Sequence, residues 1–361
     1  MGVFVFLPLV LPLTALPIAR LAELHLHPRV ATRLLSGLAG VLALCSTLCL
    51  GLLVVVGTAQ LPGNPLPDAW SDPEVREAVP YDEIAGKAAI VALAVVAVGC
   101  TAAAGRHRRV RRRAHRALAG LPGGELAVLT DAVPYAYALP GSAAARLPDA
   151  GTGADARSRS RSRSRSRAGA GAGAGARIRV CFRARALVRG GGHGRGRVVV
   201  STGMLDCLDT RERAALLAHE QAHLIGGHHR YLLAVRLAAR ANPLLRPLRA
   251  AVAYTTERWA DEEAARVTGE RTVVARAIGK AALVSRGTPT PTLAGFAAPG
   301  PVPRRVAALL EPAPTAVNWP SMSTAVGLAV WTAAAGTLGS ALSSANATIT
   351  LFLVLKAATP L

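Results

Sequence analysis

The sequence predicts a mainly α, polytopic membrane protein. About four transmembrane helices are expected, with a cytoplasmic α+β domain between the third and the fourth. Three observations carry that expectation. Hydrophobic residues make up 51% of the 361 positions, charged residues only 17%, and mean hydropathy is +0.34, whereas a soluble chain carries about 25% charge. The apolar residues fall in long uncharged runs. Between those runs, short β-like segments precede helical ones that hold a cluster of histidines and acids. So much apolar sequence excludes a fully disordered chain, and its clustering argues against a plain soluble enzyme.

The clearest span covers residues 34–57, which hold no charge; a span needs about 20 apolar residues. Another covers about 88–104. The last lies within 322–355, where Ser340, Ser343, Ser344 and Asn346 leave its limits open. The first apolar stretch, 3–19, is short and holds Pro8, Pro12 and Pro17. A signal peptide carries positive charge ahead of its apolar core. Here Arg20 follows the stretch instead, so it is read as a retained span.

Loop charges set the orientation. Arg20, Arg29 and Arg33 follow the first span, and a basic run beginning at Arg106 follows the third. The loop 58–87 is acidic, with Asp68, Asp72, Glu74, Glu77, Asp82 and Glu83. Positive residues stay inside, which places both termini and the acidic loop outside and residues 105–318 in the cytoplasm. The formal net charge is +21, from 42 Lys and Arg against 21 Asp and Glu, and it concentrates between Arg106 and Arg197. Such a block attracts nucleic acid or an anionic membrane face. The five cysteines are odd in number and scattered without a CxxC pair, which indicates neither a disulfide framework nor a cysteine metal site.

The chain thus divides into an N-terminal membrane region (1–104), a cytoplasmic domain (105–318) and a C-terminal transmembrane segment (322–355). Within the domain, residues 142–196 hold an Arg-Ser repeat from Arg157 to Arg167 and a Gly-Ala repeat from Ala168 to Ala176. That composition cannot pack a core, so the segment is read as a disordered insertion, with order expected at most over 178–188. Residues 117–141 and 197–311 read as folded, the latter mostly helical.

Chemistry concentrates after the insertion. Asp209, with Glu212 three places on, fits a capping box at a helix start. The helix carries His219-Glu220-Gln221-Ala222-His223. Residues i and i+4 share one helix face, so the two imidazoles can grip one metal ion. Glu220 stands beside the first, placed to act as general base: the zinc-hydrolase arrangement. A catalytic zinc takes three protein ligands and keeps an open position. Downstream, Thr256-Glu257-Arg258-Trp259-Ala260-Asp261 offers Glu257 as the third ligand. Asp261, one turn on, can hold a ligand imidazole through its second nitrogen. Upstream, residues 135–141 read as a short strand with a turn, and residues 197–205 as a strand leading to the histidine helix. An edge strand there can pair with an extended substrate, which makes Tyr137, Ala138, Val199 and Val200 candidate substrate-pairing positions. Tyr254 and Arg258 flank the third ligand and are candidate oxyanion stabilisers by proximity in sequence alone.

The set AYALPG, VVVSTGMLDCLDTRERAALLAHEQAH and ERWAD resembles the membrane-embedded gluzincin metallopeptidases. It is most like the BlaR/MecR-type antibiotic-sensing transducers, and the HtpX/Ste-type membrane proteases share the same core. The resemblance implies a zincin-like domain with one Zn2+ per chain held by His219, His223 and Glu257. It implies Glu220 as base and Asp261 behind the ligands. It also implies proteolysis of a protein substrate: a cytosolic repressor in the transducers, hence signal transduction, or membrane quality control in HtpX-like proteins. No antibiotic-binding domain follows the last span in this sequence, so beta-lactam sensing is not part of the expectation. The Arg-Ser and Gly-Ala insertion is foreign to the pattern and leaves the rim of the site open.

Two other readings compete. HEQAHLIGGHH also fits the metzincin pattern, with Gly226 breaking the helix and His229 as third ligand. That pattern needs a methionine turn further on, and no methionine lies between Met204 and Met322. The alternative for His228, His229 and Arg230 is a polar helix end. In the second reading, the Arg-Ser run binds nucleic acid or anionic lipid on an inactive membrane scaffold. The run lacks aromatic residues to stack bases, so membrane lipids are the expected partner and nucleic acid is not.

Overall fold

The computed structural model describes residues 7–59, 82–121, 124–141, 196–285, 302–314 and 321–358. The insertion, including 178–188, and most of the acidic loop lie outside the described residues.

Three helices are long and apolar enough to cross a membrane: α3 (Pro28–Ala59), α4 (Asp82–Ala117) and, last in the chain, α11 (Ala325–Ala358). Four spans were expected. Among the described residues, the first stretch instead breaks into α1 (Leu7–Val10), a 3-10 turn (Leu11–Thr14) and α2 (Ala15–His25). Proline accounts for the break. Pro12 has no N–H to offer the carbonyl of Pro8 four residues back. That carbonyl accepts from the Ser46 hydroxyl of α3 instead, at 2.7 Å. Past the break, Ala15, Ala19 and Ala22 form one small-residue face, fully buried against α3 and the domain.

α4 also differs from expectation. At about 1.5 Å per residue, its 36 residues far exceed the roughly 30 Å hydrocarbon layer. The helix therefore continues past residue 104 and carries the basic run without a break.

The domain holds a three-stranded sheet of β1 (Leu126–Leu129), β2 (Ala136–Leu139) and β3 (Arg197–Ser201), in the order β1-β3-β2. β3 runs parallel to β1 and antiparallel to β2. The first of these strands, a four-residue apolar run, was not expected from the sequence. β3 ends sooner than expected because the Ser201 hydroxyl accepts from the Met204 N–H and caps α5 (Thr202–Asp206).

Five helices follow: α6 (Thr210–Gly226), α7 (His228–Ala241), α8 (Arg246–Thr268), α9 (Arg271–Val284) and α10 (Val302–Leu310). Val198, Val200, Met204, Leu216, Ala264, Val274, Ile278 and Leu309 form the core between the sheet and α6, α8, α9 and α10. A second core joins the domain to the first of the long apolar helices: Ala31, Leu35, Ala39 and Leu42 of α3 pack against Val235, Leu248, Ala251 and Val252 of α7 and α8. Buried hydrogen bonds cross the same seam, Thr32 to Thr255 at 3.0 Å and Asn242 to Ser46 at 3.0 Å.

Candidate metal centre

α6 begins as its sequence dictates. The Asp209 carboxylate accepts from the N–H groups of Arg211 and Glu212, and the Glu212 side chain accepts from the Asp209 N–H. The helix ends at Gly227, whose φ of 64° closes it in the left-handed conformation that glycine adopts without penalty. Between these limits α6 presents His219, Glu220 and His223 on its buried side, with His219 0% and Glu220 1% exposed. α8 runs alongside and brings in Glu257 and, one turn later, Asp261.

The three donor groups form a tight triangle. His219 Nε2 and His223 Nε2 are 3.1 Å apart, and each lies 3.5 Å from a Glu257 oxygen. A tetrahedral ion with bonds of about 2.1 Å sets its donors about 3.4 Å apart, so these side chains fit zinc. Asp261 Oδ1 stands 3.0 Å from His219 Nδ1, which fixes the ring and turns Nε2 toward the triangle. Glu220 is buried beside it. Its carboxylate accepts from the Ala138 N–H, while Oε1 has no hydrogen-bond partner among the described residues. A buried oxygen left in that state marks a place for a ligand.

Arg305 of α10 completes the centre, and no sequence motif points to it. Only 2% exposed, it forks onto Asp261 through Nε (2.9 Å) and Nη2 (2.7 Å) and reaches Glu257 Oε2 at 3.2 Å through Nη1. It arrives from the Pro-rich end of the domain, separated from α9 by residues whose composition shows no site. Arg305 would be legible only as a lone arginine on the apolar face of a short helix.

The charges are strongly coupled. Burial opposes protonation of His219, but the carboxylates of Asp261 and Glu257 outweigh it and raise its pKa to about 9. Burial, aided by the charge of Glu257, pushes Glu220 up to about 7. Burial drives His223 down to about 4. Burial works against ionisation of Asp261, yet the Arg305 guanidinium overrides it and holds that carboxyl well below the usual range. These values belong to the side chains alone. Together they describe one neutral imidazole, one cationic imidazole, two ionised carboxylates and a base poised near neutrality.

His228 and His229 have different fates. The helix runs through Gly226 and stops at Gly227, so His228 is the first residue of α7 rather than a polar helix end. His228 is fully buried. Its Nδ1 lies 2.9 Å from His223 Nδ1, and its ring packs on Trp259 at 4.4 Å between centroids. A Cβ on Gly226 would fall 2.3 Å from its Nε2, so that glycine makes room for the ring. His229 lies outside the three-donor group and lines the adjoining cavity. The geometry therefore offers Glu257, not His229, as the third ligand.

The oxyanion candidates are not brought to the cavity. Arg258 pairs with Glu262 at 2.8 Å, and the Tyr254 ring lies under Arg304 at 4.3 Å. The substrate-strand candidates divide. Val199 and Val200 belong to the central strand, paired on both sides, and offer a peptide no backbone. β2 is the edge. Ser201 N–H bonds Tyr135 O, so by antiparallel alternation Tyr137 turns its backbone groups toward β3, while Ala136 and Ala138 turn theirs outward. Ala138 thus faces Glu220.

A family model described as Peptidase family M48 matches residues 183–250. The match takes in His219, Glu220 and His223 and ends before Glu257. No curated protein and no solved structure matches the chain. M48 peptidases are zinc-dependent metalloproteases, and the match together with the donor triangle supports a metallopeptidase centre of that kind.

Proposed function

We propose that the protein is a membrane-embedded zinc endopeptidase whose catalytic domain faces the cytoplasm, as the basic ends of α3 and α4 favour. The observation that carries this reading is the triangle of His219, His223 and Glu257 with buried Glu220 beside the outward edge of β2. Zinc, when bound there, would supply a Lewis acid for the peptide carbonyl and lower the pKa of water from about 15.7 to about 7. A peptide lies along β2, accepting from the outward N–H of Ala136 and donating to the outward carbonyls of Ala136 and Ala138. Glu220, with its pKa near 7, removes the proton of the attacking water and hands it to the leaving amine nitrogen. Asp261, held by Arg305, keeps His219 in one tautomer throughout.

The specific role we infer is cleavage of a cytoplasmic protein, a transcriptional repressor in a signalling pathway, as in the BlaR/MecR-type transducers. A second reading is membrane-protein quality control of the HtpX kind. It is favoured by the bonds of Thr255 and Asn242 to α3, which seat the domain on its membrane helices.

Purified wild type should hold about one zinc per chain, as in a structural or catalytic zinc centre. The zinc should be lost in Glu257→Ala and kept in His229→Ala. Glu220→Gln should keep zinc and lose cleavage of a fluorescein-labelled unfolded protein. Folded wild type without zinc, or wild-type cleavage by Glu220→Gln, would overturn the reading.

A further inference from the structure

A cavity of about 340 Å³ adjoins the donor triangle, with Glu220, His223 and Glu257 on one side. The facing side is basic, built from Arg106 and Arg111 of α4 and Arg236 of α7. Among the described residues, the acids lining the cavity are Glu220 and Glu257, both belonging to the metal centre. Its size is at the low end for a ligand pocket, about 300–1,000 Å³, which suits one or two side chains of a bound peptide.

The basic side is organised rather than incidental. Along α4, residues 106, 107, 110 and 111 line the cavity, a spacing that puts them on one helix face. Arg106 and Arg236 are exposed to solvent as well as to the cavity and Arg111 is half-buried, whereas the exposed Arg108, Arg109, Arg112 and Arg113 do not line it. Arg111 is fixed at the end of β2, where Nη2 donates to the carbonyl oxygens of Gly141 (2.9 Å) and Pro140 (3.3 Å). Around Arg236 the acting charges are all guanidinium groups, those of Arg249, Arg106 and Arg240. Burial, and then these like charges, hold Arg236 below its ordinary pKa. Like charges gathered beside a cleft repel one another and focus a positive potential into it. An anion entering the cleft relieves that repulsion and gains charge-assisted hydrogen bonds.

We propose that this basic wall selects the substrate by charge: a peptide lying along β2 docks an aspartate or glutamate side chain, close to the scissile bond, among Arg106, Arg111 and Arg236. The inference rests on the proteolytic reading and adds a substrate class to it, an acidic segment. A phospholipid headgroup would meet the same chemistry. The outward arginines of α4 serve that purpose, whereas the inward ones share a cavity with Glu220 and His223.

The test uses full-length Glu220→Gln protein in phosphatidylcholine nanodiscs and fluorescent ten-residue peptides that differ only in central Asp or Asn, read by anisotropy. The Asp peptide should bind about tenfold tighter or more, a preference that fades with salt. Arg236→Gln should erase most of the preference, and Arg106→Glu with Arg236→Glu should invert it, with zinc content confirming that each variant folds. Equal binding of the two peptides, or a preference untouched by these variants, overturns the proposal. So does loss of the preference when phosphatidylglycerol replaces phosphatidylcholine at constant ionic strength, which would assign the arginines to lipid. The two readings separate cleanly. Wild type that cleaves Asp and Asn peptides equally retains the protease and loses the selection. Charge-selective binding with no cleavage of any peptide by wild type retains the selection and loses the protease.

Discussion

Replacing Arg305 with methionine removes the guanidinium that bridges Asp261 and Glu257 while keeping much of the side-chain volume. In the wild type the guanidinium makes two contacts under 3 Å to Asp261 and one of 3.2 Å to Glu257, all in a region where Arg305 is 2% and Asp261 0% exposed. Deleting one partner of such a buried pair costs about 3–5 kcal/mol, because the two carboxylates stay desolvated with only His219 left against them. For a chain of this size that is a fall in Tm of roughly 6–20 °C, at about 2–4 °C per kcal/mol. Zinc offsets part of the loss by supplying positive charge beside Glu257, so the deficit should be greatest in chelator-treated protein. The sign with pH follows from Asp261. Its folded pKa is depressed below the ordinary 3.8, so its contribution is complete above that value and is lost as pH falls through the folded pKa. Wild type and Arg305→Met should therefore differ fully near neutrality and converge in strong acid. Arg305→Lys keeps the charge but loses the planar fork and should recover part of the difference. Thermal unfolding in detergent, with and without zinc, checks this. A metal-free Arg305→Met protein that melts with wild type would refute the electrostatic account of the centre.

Two further outcomes follow from the same geometry. Zinc binding must displace a proton from His219, whose pKa is raised to about 9, but not from His223, lowered to about 4. Affinity should thus rise about tenfold per pH unit across the neutral range, and calorimetry in two buffers of different ionisation enthalpy should show at least one proton released near pH 7; zero release would contradict the charge assignment. Gly226→Ala should destabilise by about 1–3 kcal/mol through overpacking, since the new Cβ meets the His228 ring at 2.3 Å; the penalty should largely disappear in a His228→Ala background, and its persistence there would show that the ring is not what the glycine accommodates.

The parts of the centre that share one helix were legible in the sequence. The capping box, the i and i+4 histidines and the Glu257–Asp261 turn are all local patterns, and their spacing fixes which side chains meet. What stayed hidden is long-range. Arg305 lies 44 positions from Asp261, on a nine-residue helix whose only sequence signal is apolar periodicity. His228 read as a polar helix end because two consecutive glycines do not reveal that one accommodates a ring and the other turns the chain. The break in the first apolar stretch is invisible to hydropathy, which counts apolar residues and does not register the missing N–H of Pro12. β1 escaped notice because a four-residue apolar run has no period that separates strand from helix.

The same long-range packing bears on where the domain begins. Residues 105–318 look self-contained in sequence, with apolar runs on both sides. Yet α7, α8 (which carries Glu257) and the 3-10 turn between them (Pro243–Leu245) bury Val235, Leu245, Leu248 and Val252 against α2 and α3, outside that range. Burying a Val or Leu side chain contributes about 1.5–3 kcal/mol. Exposing those four, with no membrane helix to replace Leu35 and Leu42, costs roughly 6–12 kcal/mol. That is the whole stability of an ordinary domain, about 5–15 kcal/mol. The Thr32–Thr255 and Ser46–Asn242 bonds are lost with them. A chain of residues 105–318 should therefore aggregate or fail to retain zinc, whereas one of residues 1–318 in detergent should retain it. A soluble, zinc-binding monomer from residues 105–318 would mean that α3 is only an anchor. Failure of that chain alone would make α3 a structural wall of the catalytic layer, through which a change in the membrane helices reaches the metal ligands directly.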